Sequence, residues 1–179
     1  ITDECTWMRP GAPTPVKDYR RITLTAPSPA LVIIDFEIKL VALTDITIEK
    51  TNHSLFSVRM DGDLSVKNGG TMVNAEGLAG EKATLGLASP WIDFYGRRGS
   101  VTEGLAMLQH PSNPGYPSPW FTRDYGFISP TPLFWPPDGN STFFPQGERI
   151  TLRYRVLVHG GNTTEADIAG EWEKYRVLR

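Results

Sequence analysis

The sequence predicts an all-β fold, an antiparallel β-sandwich carrying a long Pro-rich loop and a short C-terminal helix. Two observations lead there. Hydrophobic residues alternate with polar ones at a period of two in several segments, which places one row of side chains in a core and the other in water. The chain also holds 17 glycines and 15 prolines in 179 residues, spaced too closely for long helices. Seven or more short strands in one chain imply two packed sheets.

The clearest strand runs from Val32 to Leu40, where Phe36, Ile38 and Leu40 alternate with Asp35, Glu37 and Lys39. A second alternation, Ile46 and Ile48 followed by Phe56, Val58 and Met60 beyond a turn at residues 51–54, predicts an antiparallel hairpin with Arg59 facing away from the apolar row. Further strands are expected over residues 19–25, 83–88, 91–95, 103–109 and 150–159. In the last, Ile150, Leu152, Tyr154, Val156 and Val158 share one face and Arg153, Arg155 and His159 the other, as in a long central strand. Asn162 with Glu165 three positions later is an N-cap signature, and Ile168, Trp172 and Tyr175 follow at helical spacing.

Length and composition suit one domain over residues 1–179, with no internal repeat or linker to divide it. The chain is also compatible with being a processed product or a fragment of a longer protein, since it starts at Ile1 without a basic-then-apolar leader. Eighteen basic against 20 acidic side chains give a net charge of -2, which offers no reason to expect nucleic acid as a partner. The longest apolar run, residues 30–34, is far short of the about 20 residues that span a bilayer, so a soluble chain without membrane insertion is expected. The lone Cys5 allows no internal disulfide and leaves the compartment open, with periplasmic or extracellular export compatible.

The segment 110–137 holds eight of the prolines and is expected to form a pre-shaped loop without regular structure, a ligand-loop candidate. Between its prolines lie His110, Asn113, Tyr116, Trp120, Phe121, Arg123, Asp124, Tyr125, Phe134 and Trp135. Upstream, alternation puts Trp91, Asp93 and Tyr95 on one strand face and Ile92 and Phe94 on the other. In one register the first three face outward; in the opposite register Asp93 is a buried, paired carboxylate.

These residues support three readings. As an enzyme, the chain would use His110 as general acid or base, with Tyr95 or Tyr125 as a second proton donor. Asp93 would orient the imidazole, Arg123 or Arg59 would bind a carboxylate, and Trp91 and Trp120 would stack on a sugar ring beside Asn113. A hydrolase, lyase or isomerase of carbohydrate would fit. As a binding module, the same groups would recognise a carbohydrate or other small polar ligand without proton transfer. As a structural or interaction domain, the Pro-rich loop would pack on a partner half or a second copy in a homo-oligomer. No metal site and no cofactor is expected, because His53, His110 and His159 occur singly without ligand spacing.

The stretch Trp91-Ile-Asp-Phe-Tyr-Gly96, the run from Leu108 through His110-Pro-Ser-Asn113-Pro to Pro119-Trp120, and Arg123-Asp-Tyr-Gly126 together resemble the soluble bacterial family known as methane oxygenase PmoA. The likeness extends from Ile22 to His159 and is specific between Trp91 and Gly126. It implies a β-rich fold of the galactose-mutarotase-like supersandwich kind and a role in glycan breakdown. A copper monooxygenase does not fit the isolated histidines. Gln109 stands where the family pattern has aspartate, and Phe121 where it often has histidine. An upstream histidine-histidine-arginine-glycine motif is missing here, which suits a C-terminal portion.

Overall fold

The computed structural model describes residues 1–49, 55–133 and 141–178. In chain order its elements are β1 (Thr2–Trp7), β2 (Val16–Ser28), β3 (Leu31–Ala42), β4 (Ile46–Ile48), β5 (Val58–Arg59), β6 (Thr71–Asn74), α1 (Glu81–Thr84), β7 (Trp91–Arg98), β8 (Val101–Gln109), β9 (Trp120–Arg123), β10 (Phe127–Pro130), β11 (Thr142–Phe144), β12 (Arg149–Gly160) and α2 (Ile168–Tyr175). Seven strands form one antiparallel sheet in the order β1-β2-β3-β12-β8-β7-β6. Smaller sheets, β5-β10-β9 and β4-β11, lie against it.

Period-two alternation sorts the large sheet into two faces. On one, Met72, Ile92, Phe94, Met107 and Val156 pack on Met60, Leu64, Trp120 and Ile128 of the three-stranded layer and its approach. Farther along, Ile38, Leu40, Leu152 and Tyr154 meet Ile46 and Leu55. On the other face, Trp91, Ala106, Leu108 and Leu157 are covered by Ile168 and Tyr175 of α2. The central place expected for the 150–159 strand is observed, between β3 and β8. Its second row is not left in water: Arg155 and His159 are buried.

Several elements differ from the sequence reading. Ile46 and Ile48 do not pair with the strand at Val58; β4 joins β11 and β5 joins β10. Met60 still points inward and Arg59 outward. The turn expected at residues 51–54 lies outside the described residues, as do His53, Phe134 and Trp135. No strand forms at 83–88: residues 83–84 end the single turn α1, where Asp124 accepts a hydrogen bond from the Glu81 amide (2.8 Å) and the Thr84 hydroxyl donates back to the Gly80 carbonyl, and Ala88 makes only an isolated bridge to Pro119. Residues 120–129 carry no proline, and there the Pro-rich segment forms the hairpin β9-β10 rather than an irregular loop. Gly126, at φ +95°, makes its turn, where a side chain would be strained.

Helix α2 begins later than the Asn162 signature suggests. Asn162 and Glu165 do exchange the expected bonds, but these close a turn, and Asp167 caps the helix through the Gly170 amide. The short strands β1, β6 and β11 gave no readable signal, since edge strands of three to six residues carry too few buried side chains for a periodic pattern.

Candidate functional site

Helix α2 covers only part of its sheet face. Beyond it, β2, β3 and β12 bring polar side chains to an open face, with Arg21 opposite Glu37, Thr23 opposite Asp35 and Arg153 opposite Glu37, while Arg155, opposite Asp35, is buried at its margin. The result is a cleft of about 260 Å³ lined chiefly by Arg21, Asp35, Glu37, His110, Arg153 and Tyr175.

Glu37 is the centre of the charges. Its Oε1 lies 3.1 Å from Arg21 and 3.2 Å from Lys39, and its Oε2 lies 3.0 Å from Arg153. Partial burial opposes its charge, but the Lys39 bond together with Arg21 and Arg153 outweighs that and holds the carboxyl below the usual glutamate range. Asp35 receives a two-pronged bond from Arg155 at 2.7 and 2.8 Å, and that guanidinium also lies 4.6 Å from the Tyr175 ring centre.

His110 sits where the chain leaves β8. Its amide donates to the Arg153 carbonyl, and Asn113 brackets the same residue, donating to that carbonyl (2.8 Å) and accepting from the Arg153 amide (2.7 Å). The imidazole is 7% exposed. Its Nδ1 accepts from the Ser112 amide and lies 2.7 Å from the Ser112 hydroxyl, while Nε2 lies 3.0 Å from the Leu178 carbonyl. A carbonyl only accepts, so this network assigns the proton to Nε2. Burial depresses the His110 pKa, with Arg153 adding to the effect against the Leu178 bond, so the ring is neutral at pH 7. Its edge rests on Tyr175 at 5.2 Å between centres.

The other candidates do not converge on His110. Trp91, Asp93 and Tyr95 do share a face, but it is the one under α2, which realises the buried register. Asp93 is fully buried, 2.9 Å from His159 Nε2 and accepting from the Thr163 hydroxyl at 2.6 Å, so it orients His159 and not His110. Tyr95 is half-buried opposite Gly104. Trp91 is packed in the α2 core, and Trp120 is fully enclosed with its Nε1 donating to the Ser89 carbonyl. Neither indole offers a face to a sugar ring.

Arg123 pairs with Glu81 at 2.7 Å and lies over Phe121, while Arg59 and Lys67 flank the Tyr125 ring on the small sheet. Gln109 uses both ends of its amide to tie Ser89 to Ser118, fastening the Pro-rich segment to the sheet. Of the sequence candidates, His110 alone lines the cleft, with Asn113 behind it. Arg21, Asp35, Glu37, Arg153 and Tyr175 were not singled out. The available signal was that two strongly alternating strands, residues 32–40 and 150–159, each carry charges on one face; pairing them brings those charges together.

Among the described residues no three His, Cys, Asp or Glu side chains are grouped as metal ligands would be, and no helix is long and apolar enough to cross a membrane. The chain matches, over residues 1–173, a family model whose description is "Family of unknown function (DUF6807)". No curated protein and no solved structure matches it.

Proposed function

The chain belongs to this family of unknown function, and from the geometry of the cleft we propose that it is a carbohydrate-binding protein acting in glycan breakdown through recognition rather than turnover. The observation that carries this reading is the open cleft beside His110, in which guanidinium and carboxylate groups are held by strand register on one sheet face. Such groups match sugar hydroxyls, which donate and accept at once, and their mutual ion pairs fix their positions before a ligand arrives. The choice of sugar among polar ligands follows the PmoA resemblance carried by Trp91–Gly126.

Binding is favoured over catalysis by the state of the candidate acids. Both nitrogens of His110 are engaged. Asp35 and Glu37 are the carboxylates of the cleft, yet each is held by arginine and Glu37 is shifted away from the protonated form a general acid requires. His110 acts as a positioning residue, holding the 175–178 tail at the rim of the cleft.

Titration calorimetry against a panel of neutral and acidic oligosaccharides tests this, with Thr23→Trp as the blocking variant, since Thr23 is an exposed residue of the cleft wall. Binding by the parent that weakens at least tenfold in Thr23→Trp, with an unchanged melting temperature, is the expected result. No binding across the panel, or binding indifferent to the substitution, overturns the reading; release of shortened sugars by the parent overturns its non-catalytic part.

A further inference from the structure

We infer that the ligand of this cleft is an anionic oligosaccharide, bearing uronate or sulfate groups, and that Arg21, Lys39 and Arg153 read its charge; the inference rests on the binding reading above. It starts from the charges that share the exposed part of this sheet face. Glu4 is taken by Lys17, and Asp35 is taken by Arg155. Apart from Arg149 at the start of β12, what remains among the described residues is three cations gathered on the carboxylate of Glu37. Asp3 and Arg20 belong to the opposite row of their strands and border only the neighbouring hollow, where both are engaged: Asp3 accepts from Cys5 and Arg20 is bonded to Asp18.

Arg153 also donates to the Ser112 hydroxyl (3.1 Å), but one carboxylate does not balance the charge of two guanidinium groups and an ammonium, nor fill the donors of Arg21 and Lys39. The surplus points outward: the Arg21 and Lys39 side chains are 64% and 55% exposed, whereas Glu37 between them is 15% exposed. A solvated sheet face ordinarily alternates its signs, and like charges this close are unfavourable without a counter-ion. A second anionic group placed between Arg21 and Lys39 would supply it.

The face also has the extent an oligosaccharide needs. A neighbouring hollow of about 420 Å³ shares Arg21 and Glu37 with the His110 cleft and continues past Lys39 to Tyr19, Glu4 and Thr2. The cations therefore stand at the junction of two connected depressions, with the half-exposed Tyr19 ring two residues from Arg21 on the same row. A neutral sugar would use the hydrogen bonds and leave the charge surplus unmet.

The test compares oligogalacturonate, a sulfated oligosaccharide and a cello-oligosaccharide of equal length by calorimetry at low salt and at about 0.3 M NaCl, where charge attraction is strongly screened. At low salt the acidic probes are expected to bind at least tenfold more tightly than the neutral one, and salt should remove most of that margin. Glu37→Gln, which frees the cations, should tighten oligogalacturonate several-fold. The double change Arg21→Gln with Lys39→Gln should bring acidic and neutral probes within about twofold.

A sulfated probe that equals or exceeds oligogalacturonate leaves the inference standing and shows that charge, not carboxylate shape, is read; a preference for oligogalacturonate supports uronate. Equal binding of neutral and acidic probes in the parent sinks the inference while leaving the cleft reading intact, whereas absence of binding to all three sinks both.

Discussion

Two imidazole-carboxylate neighbourhoods lie on the same face of the same sheet, yet they have opposite characters. At one end Asp93 and His159 are sealed beneath Thr163 and the chain that leads into α2, with His159 1% and Asp93 0% exposed as side chains. At the other, Glu37, Asp35 and the arginines border an open cleft, with His110 at its edge. The residue types are nearly the same. The difference is cover: α2 is eight residues long and shields only the part of the sheet around Trp91, Leu108 and Leu157. Where it ends, the same chemistry turns from holding the fold together to facing solvent.

The comparison can be broken most sharply at the sealed end. Asp93→Ala removes the partner of the buried His159 Nε2 and of the part-buried Thr163 hydroxyl, and is expected to cost about 3 kcal/mol or more in urea unfolding. A loss below about 1 kcal/mol would mean that this end is not the buried anchor described. Gly104→Ala strikes the same place by crowding, since an added Cβ would stand 2.5 Å from His159 Cε1 and equally close to the Phe94 carbonyl. An overpacking cost of about 1–3 kcal/mol should appear as a lowered melting temperature.

At the open end effects on stability should be smaller. Glu37→Gln leaves Arg21, Lys39 and Arg153 facing one another without their shared anion, and about 1 kcal/mol of destabilisation, relieved by added salt, is expected. The smallest effect is a pH slope. His110 titrates below its ordinary value of 6.5 in the folded chain, chiefly through burial, so the unfolded chain takes up this proton first as the pH falls. The stability His110 provides is therefore complete above about 6.5 and declines as the pH drops through the lower folded value. Glu37, also depressed, contributes in the same direction in the more acidic carboxylate range. Denaturation curves at pH 7 and pH 5 should show the parent losing a component of stability that His110→Gln does not lose.

Much of the β architecture was legible because burial writes period-two patterns into long strands: residues 32–40 and 150–159 lie in β3 and β12 as expected, and Arg59 faces outward. The pairing of Ile46 and Val58 is not legible locally, because their partners, β11 and β10, lie some 70 to 100 residues away and leave no local trace. The candidate site was legible at His110 and Asn113, where prolines mark a stiff exit from the sheet. Trp120 misled because an indole that stacks on ligand and one that fills a core with its N–H bonded look identical in sequence.

By itself the sequence determined which residues alternate and that the charges of Asp35, Glu37 and Lys39 share a strand face, since these depend only on backbone geometry and side-chain chemistry. Tertiary structure alone decided which of those charges meet Arg21 and Arg153, and which part of the sheet α2 covers. Strand pairing over long separations and the reach of a terminal helix are set by the packing of the whole chain, and on this sheet they separate a buried anchor from an accessible cleft.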